Sequence, residues 1–145
     1  MVWDAQTGNL ALGPLKRHTD WIGCVAFSPN GRKFASGSAD KTILVWDAVT
    51  GKVVAGPMKG HTNSIWSVCF SPNGKQIASG SYDHSIQLWD AQTGYPLIGS
   101  LTGHTDIVWS VVFSGDGKLL VSGSKDKTIR VWDVKSGRLG AVERT

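Results

Sequence analysis

The chain has 145 residues, of which 41% are apolar and 18% are charged, and its formal net charge is +4. This composition is typical of a folded globular protein and excludes a disordered chain. A membrane-spanning helix is excluded too, since no stretch approaches the roughly 18 consecutive apolar residues that it needs. Basic residues are dispersed except for Lys125, Lys127 and Arg130. We therefore expect a solvated basic face and regard a nucleic-acid site at this group as the weaker alternative.

One period of 43 residues organises the whole sequence. It separates three kinds of recurring residue: Trp3, Trp46, Trp89 and Trp132; His18, His61 and His104; and Asp40, Asp83 and Asp126. A fixed period of this length indicates a repeat architecture. We divide the chain into a partial repeat at 1–16 and whole repeats at 17–59, 60–102 and 103–145, all within one domain. The partial repeat matches only the last positions of a whole one.

Each whole repeat reads as four short strands separated by turns. The dipeptide Asn73-Gly74 supplies the positive φ of a tight hairpin between the first two strands of the second repeat. First strands such as 108–113 are apolar on both faces, so each sheet must lie between copies of itself. In the second repeat the predicted strands are 65–70, 76–81, 85–89 and 96–101.

Small antiparallel sheets that stack face to face and repeat at about 40 to 45 residues predict an all-β propeller. This chain would supply three full blades and a half-blade formed by third and fourth strands. Closed propellers have about 4 to 8 blades, so the ring is incomplete in one chain. The chain is either an excerpt of a longer protein or a homo-oligomer, in which a dimer would complete the ring with six full blades and two half-blades. The final segment, 138–144, is polar for an outer strand.

Several motifs recur in register with this period. Gly60-His61, Ser79-Gly80-Ser81, Asp83 and Trp89-Asp90 resemble the signature of the WD40 repeat family, and the resemblance covers the whole chain. It implies a WD40-type β-propeller that acts as a non-catalytic scaffold for protein or peptide partners. The segment Gly56-Pro57-Met58-Lys59 is similar to the WD40 sensor arrays of NACHT-type signalling ATPases, which implies part of a larger sensor or signalling protein.

The resemblance also implies a structural hydrogen-bonded tetrad in every whole repeat, made of a His, a Ser, a turn Asp and a Trp. Ser, His and Asp together can form a nucleophilic triad, but here the set recurs three times and each copy is closed by a Trp. We therefore expect no enzyme, although a propeller active site in the channel stays as an alternative. The implied tetrads are His18, Ser36, Asp40 and Trp46; His61, Ser79, Asp83 and Trp89; and His104, Ser122, Asp126 and Trp132.

Positions at which the repeats differ are those that the scaffold leaves free for a partner. In the WD40 family the most variable of these positions lie on the top face around the channel, and exposed Trp and Tyr are typical interface anchors. The alternative is that Trp66 and Trp109 pack between blades as core. The predicted partner-binding residues are Trp21, Trp66, Tyr82, Ile107, Trp109 and Lys125.

Cofactors and metals are not expected. The repeat histidines lie in different blades and His84 is a lone turn residue, so no ligand cluster converges. Cys24 and Cys69 both lie in apolar runs and are expected to be buried free thiols. The sequence shows no signal peptide and no membrane segment, which predicts a cytoplasmic protein without a membrane partner.

Overall fold

A computed structural model describes residues 1–144, of which 141–144 are described by their backbone alone. The described residues form thirteen β-strands and no helix, which confirms the predicted all-β class. Consequently no helix in this range is long and apolar enough to cross a membrane. The strands are β1 (Val2–Trp3), β2 (Leu10–Leu12), β3 (Ile22–Phe27), β4 (Lys33–Ser38), β5 (Thr42–Asp47), β6 (Val53–Lys59), β7 (Ile65–Phe70), β8 (Gln76–Ser81), β9 (Ile86–Asp90), β10 (Val108–Phe113), β11 (Leu119–Ser124), β12 (Thr128–Asp133) and β13 (Leu139–Arg144).

The strands pair antiparallel with their neighbours in sequence and form four separate sheets. Strands β3 to β6 make the first blade, β7 to β9 the second blade and β10 to β13 the third blade, while β1 and β2 form a half-blade. Three blades and a half-blade were predicted, and this arrangement is confirmed. The polar final segment nevertheless pairs with β12 as an outer strand.

The turns that join first and second strands follow the predicted chemistry. In the first blade, Gly31 has a φ of 70°. The side-chain oxygen of Asn30 accepts hydrogen bonds of 2.9 Å from the Arg32 N–H and from the Ser28 hydroxyl. These bonds close the turn because the positive φ of glycine lets the chain reverse within two residues.

The outer edge of the second blade differs from the prediction. The segment 96–101 was predicted to be a continuous fourth strand, but it meets β9 only through bridges at Pro96 and Leu101. The ladder is regular around Pro96, where the Asp90 N–H donates to the Tyr95 carbonyl at 2.8 Å and the Leu97 N–H donates to the Leu88 carbonyl at 2.9 Å, and it is interrupted between Leu97 and Leu101. Ile98, between the two bridges, packs against the apolar core shared with the third blade.

Two apolar cores hold the blades together, one at each blade-to-blade junction. At the first junction Ile65 and Val68 of β7 pack against Ile43 and Val45 of the first blade. The second core joins β8 and β9 to the third blade in the same way, with Val108 and Val111 of β10 as the matching residues. Each core is therefore built from the two facing sides of neighbouring sheets, as the apolar strands predicted.

Glycines in the second strands allow the blades to approach closely at both junctions. A Cβ added at Gly37 would lie 2.7 Å from the Ile65 Cγ2 atom, and one at Gly80 would lie 2.7 Å from the Val108 Cγ1 atom. Gly123, the equivalent residue of the third blade, has no heavy atom within 4 Å of the same position. Gly37 and Gly80 are thus junction residues, whereas Gly123 lies on an uncovered face.

Two faces of the stack expose residues whose repeat equivalents are buried: the face of the first blade towards the half-blade, and the end face of the third blade. Val25 is 67% exposed, although its repeat equivalents Val68 and Val111 are 7% and 4% exposed. At the other end, Ile129 is 36% exposed, whereas the equivalent Ile43 is fully buried. Both faces therefore carry one side of a blade-to-blade junction without the second side that covers it inside the stack.

Candidate functional site

The structure brings the four residues of each implied tetrad into one hydrogen-bonded chain. In the second repeat the Trp89 Nε1–H donates to Ser79 Oγ at 2.8 Å. The same Oγ lies 2.7 Å from His61 Nε2, and His61 Nδ1 lies 2.8 Å from Asp83 Oδ2. These bonds connect the loop before β7 to strands β8 and β9, so the tetrad fixes the entry of a blade to its interior.

The other two tetrads have the same geometry. The Trp-to-Ser bonds measure 2.8 Å at Trp46 and 2.9 Å at Trp132. The distances from His Nδ1 to Asp Oδ2 are 2.8 Å at His18 and 2.7 Å at His104. Because the positions are 43 residues apart and the blades share one backbone, the same side chains meet in each repeat.

The aspartates of the tetrads are held in the ionised form. Burial by itself raises the pKa of Asp83, but the hydrogen bonds from His61 and Ser85 outweigh it and bring the pKa well below its usual range. Asp126 behaves in the same way, since bonds from Thr128 and His104 lower its pKa against the effect of burial. A carboxylate that accepts several hydrogen bonds favours its charged state. At neutral pH each repeat histidine therefore lies next to an ionised carboxylate.

A fifth residue belongs to each of these networks and was missed by the sequence interpretation. Ser85 Oγ donates to Asp83 Oδ1 at 2.6 Å and lies 3.3 Å from His61 Nδ1. Thr42 and Thr128 occupy the equivalent positions, each with a 2.6 Å bond to its aspartate. The sequence contained the information needed to predict this residue, because a serine or threonine recurs at the same period of 43 residues.

The tetrads have the connectivity of a Ser-His-Asp triad but not its accessibility. Ser79 and Ser122 are fully buried and Ser36 is 2% exposed, so no substrate carbonyl can approach the hydroxyls. Each Oγ already accepts the indole N–H of its Trp. A nucleophile needs a free approach and an oxyanion site next to it. The chemistry of these residues is therefore structural.

The cysteines and the acidic residues form no further chemical site in the described range. Burial raises the pKa of the Cys24 thiol to about 12 and that of Cys69 to about 11, so both stay protonated. Both thiols are free. No group of three or more His, Cys, Asp or Glu side chains among residues 1–144 is arranged to hold a metal ion.

Four aromatic side chains at one end of the blades form a continuous cluster, which we name the aromatic rim (Trp21, Trp66, Tyr82 and Trp109). Trp66 lies at its centre, with ring centroids 5.3 Å from Trp21, 5.4 Å from Tyr82 and 5.2 Å from Trp109. The indole Nε1 of Trp66 is buried without a hydrogen-bond partner among the described residues, so Trp66 contributes apolar contact. The outer rings are open to solvent, Trp21 at 49% and Trp109 at 44%.

Backbone hydrogen bonds bring the variable positions of each repeat together. The N–H of Ala39 donates to the Trp21 carbonyl, and the N–H of Tyr82 donates to the Ser64 carbonyl, both at 2.9 Å. The start of each first strand therefore lies beside the turn that precedes the third strand. The aromatic rim spans three blades, because Trp21, Trp66 and Trp109 come from one repeat each.

Two predicted partner-binding residues lie outside the rim. Ile107 is only 7% exposed, which corrects its assignment as a surface contact. Variation between repeats at this position reflects packing here, since the equivalent Trp21 is exposed while Ile107 is buried. Lys125 is exposed in the turn between β11 and β12, and its N–H donates to the Ile107 carbonyl at 2.9 Å. It therefore lies next to the rim as a charged neighbour.

The basic group proposed as the alternative nucleic-acid site does not form one exposed patch. Lys125 and Lys127 are exposed in the same turn, but Arg130 is half-buried within β12. The Nε atom of Arg130 is buried and has no hydrogen-bond partner among the described residues. Phosphate binding requires basic groups that are open to the same side, and this group does not meet that requirement.

Comparison with known proteins agrees with this architecture. The family model described as "WD domain, G-beta repeat" matches residues 11–47, 52–90 and 95–133. The chain is similar to the Intraflagellar transport protein 122 homolog of Mus musculus, with 52% identity over 44 residues, and to those of Homo sapiens and Danio rerio, each with 50% identity over 44 residues. Each alignment covers 30% of this chain and 4% of the relative. The family model spans most of the sequence, and the chain therefore belongs to the WD40 repeat family.

Proposed function

We propose that the chain is a non-catalytic scaffold that binds a protein or peptide partner through the aromatic rim. The observation that carries the proposal is the unbroken contact of four aromatic rings across three blades, with Trp21 and Trp109 about half exposed. Aromatic side chains combine a large apolar area with low conformational entropy, which makes them frequent energetic centres of interfaces. Membership in the WD40 family and the similarity to an intraflagellar transport protein support the same role.

The spacing of the rings defines how a partner would meet them. Centroids 5.2 to 5.4 Å apart place Trp66 in direct contact with its neighbours. A group inserted between two facing rings would need about 7 Å, or two van der Waals contacts. The rim is therefore a ridge rather than a cage. The partner would cover the outer faces of Trp21 and Trp109 and bury them, with Lys125 as a charged contact at the side.

Replacing Trp109 by alanine tests this proposal. Peptides selected from a random displayed library for binding to the wild-type chain should bind W109A about thirtyfold more weakly, because an interface anchor contributes about 2 kcal/mol or more. Titration calorimetry measures the change. Tyr95→Ala is the matched control, since Tyr95 is a 73% exposed aromatic residue in the turn that follows β9, at the opposite end of the blade. Equal affinities of W109A and the wild type would overturn the proposal.

Self-association is a second part of the proposal. The uncovered faces lie at the two ends of the stack: the half-blade exposes Trp3 at 58%, and the third blade exposes Ile129 at 36%. Two copies arranged about a two-fold axis would form a ring of six full blades and two half-blades. Light scattering at micromolar concentration should give at least twice the 15.5 kDa of one chain. The mass of a single chain would contradict a dimer.

We also propose that the chain acts in the cytoplasm as part of a larger sensor or signalling protein. The similarity of Gly56-Pro57-Met58-Lys59 to the sensor arrays of NACHT-type ATPases supports this role, and the free thiols of Cys24 and Cys69 suit a reducing compartment. The chain spans about 4% of the length of the relatives named above, so their whole-protein activities are not transferred to it.

A further inference from the structure

We propose that a groove between the second and third blades binds an extended peptide segment of a partner protein, in which large aliphatic side chains are flanked by carboxylates. We name it the inter-blade groove. It is lined by residues at the turns between β7 and β8, β10 and β11, and β12 and β13, together with Leu88, Leu97 and Ile98. The turns that follow the first strands lie at the other end of these strands from the aromatic rim, so the site does not depend on the function proposed for the rim.

The two walls of the inter-blade groove approach each other but leave a space of about 610 Å³. They are close at Pro72, whose Cδ atom would lie 3.5 Å from a Cβ added at Gly117, and at Ile98, whose Cδ1 atom would lie 3.0 Å from a Cβ added at Gly137. The volume is within the range of about 300 to 1,000 Å³ that is usual for ligand sites. The groove can therefore hold several side chains of a partner.

The wall that belongs to the second blade is neutral and largely apolar. Leu88 is 1% exposed and forms part of the floor, whereas Leu97 is 44% exposed at the side. On the opposite wall Val134 is 9% exposed and continues the apolar floor. Burying Leu97 against aliphatic side chains of a partner would remove apolar surface from water, which favours binding.

The outer edge of β9 has an unpaired hydrogen-bond donor beside this wall. In the first and third blades the equivalents of Leu88, which are Val45 and Val131, pair with alanines of the fourth strands. Leu88 accepts a hydrogen bond of 2.9 Å from the Leu97 N–H, but its own N–H has no acceptor among the described residues. A buried N–H normally has an acceptor from protein, water or ligand. A main-chain carbonyl of an extended peptide can supply it, as in other complexes where a peptide adds to a strand edge.

The wall that belongs to the third blade supplies the charges of the groove. Lys118 and Lys135 are exposed, and neither forms an ion pair with a described carboxylate. The two aspartates of this wall are engaged within their own turns. Oδ1 of Asp116 accepts the Lys118 N–H at 3.0 Å, and Oδ1 of Asp133 accepts the Ser136 hydroxyl at 2.9 Å. The unpaired ammonium groups are therefore the charges that a partner meets, and they favour carboxylates beside its aliphatic residues.

A fluorescein-labelled peptide of two leucines with two glutamates on each side tests the proposal on the intact chain. Its fluorescence anisotropy should rise in a saturable manner at chain concentrations up to about 100 μM. A peptide with serines in place of the leucines should bind about tenfold more weakly, because it has no aliphatic side chains for the groove. A peptide with lysines in place of the glutamates should be weakened to the same extent by repulsion from Lys118 and Lys135.

A pair of variants tests the apolar wall. Leu97→Ser should weaken binding of the glutamate-flanked peptide about fivefold, because it removes an apolar contact. Val54→Ser is the matched control, since Val54 is the repeat equivalent of Leu97 in the first blade, is also 44% exposed and does not line the groove.

A second pair of variants tests the charged wall. Changing Lys118 and Lys135 together to glutamate should weaken binding about tenfold. The same change at Lys16 and Lys52 alters the net charge equally and should leave the affinity unchanged, because both are exposed and lie outside the groove. Every variant of the two pairs alters exposed side chains and should keep the unfolding midpoint of the wild type.

The outcomes distinguish this site from the aromatic rim. Trp109→Ala should leave the affinity for the glutamate-flanked peptide unchanged, and a loss of binding would place the peptide on the rim and overturn the proposal. Absence of saturable binding, or equal binding of the serine or lysine peptide, would also overturn it. So would an affinity of Leu97→Ser, or of the variant at Lys118 and Lys135, equal to that of its control.

Discussion

Replacing Val68 by aspartate is expected to unfold the chain, whereas the same change at Val25 should leave its stability almost unchanged. The two valines occupy equivalent positions of their repeats, but Val68 is 7% exposed at the junction of two blades and Val25 is 67% exposed. Burying an unpaired carboxylate at the junction costs about 4 kcal/mol or more, a large share of the stability of a small domain. An exposed substitution changes the free energy of unfolding by about 0.5 kcal/mol or less.

Circular dichroism during urea unfolding distinguishes the two variants. Val68→Asp should show no cooperative transition or a much lower midpoint, and Val25→Asp should follow the wild-type curve. Similar curves for both variants would mean that the two faces are equally covered in solution. That outcome would contradict the assignment of Val25 to an uncovered face of the first blade.

Removing the hydroxyl of Ser79 should lower the free energy of unfolding by about 3 kcal/mol. Ser79 Oγ is fully buried and is bonded to both Trp89 Nε1 and His61 Nε2. Alanine therefore leaves two buried polar groups without a partner, and each costs about 1 to 3 kcal/mol. The decrease in the free energy of unfolding should exceed that from losing one average hydrogen bond, because Trp89 Nε1 and His61 Nε2 remain buried without a partner.

Ser100→Ala is the matched control for this experiment. Ser100 is exposed in the irregular segment beside β9, and its hydroxyl makes no hydrogen bond to any described residue. Chemical denaturation of both variants gives the comparison. If Ser79→Ala lowers the free energy of unfolding no more than Ser100→Ala does, the tetrad does not stabilise the blade.

The blades could be predicted from the sequence because their signal is repeated. One apolar strand such as β10 is compatible with several folds, but three copies at a spacing of 43 residues leave little freedom. The tetrad members could be named for the same reason, since His61, Ser79, Asp83 and Trp89 each recur in register. The hydroxyl at Ser85 follows the same rule and could have been included.

Features that belong to one repeat alone were not predictable in this way. The segment 96–101 matches the fourth strands in position, yet its ladder is interrupted between the bridges at Pro96 and Leu101, where Ile98 packs inward. Sequence variation between repeats identified positions that the fold does not constrain. It did not distinguish Trp21, which is exposed, from Ile107, which is buried. The central place of Trp66 in the aromatic rim depends on how three blades stack, which no single repeat encodes.

Alanine substitution of three equivalent glycines tests the stacking of the blades most directly. At Gly37 and Gly80 a new Cβ would lie 2.7 Å from an isoleucine or valine methyl group of the next blade, so each variant should lose about 2 kcal/mol. At Gly123 no heavy atom lies within 4 Å, and alanine should be neutral or slightly stabilising. Urea unfolding should therefore give lower midpoints for the Gly37 and Gly80 variants and an unchanged midpoint for the Gly123 variant. Equal changes in the midpoint at all three positions would contradict face-to-face packing of these sheets.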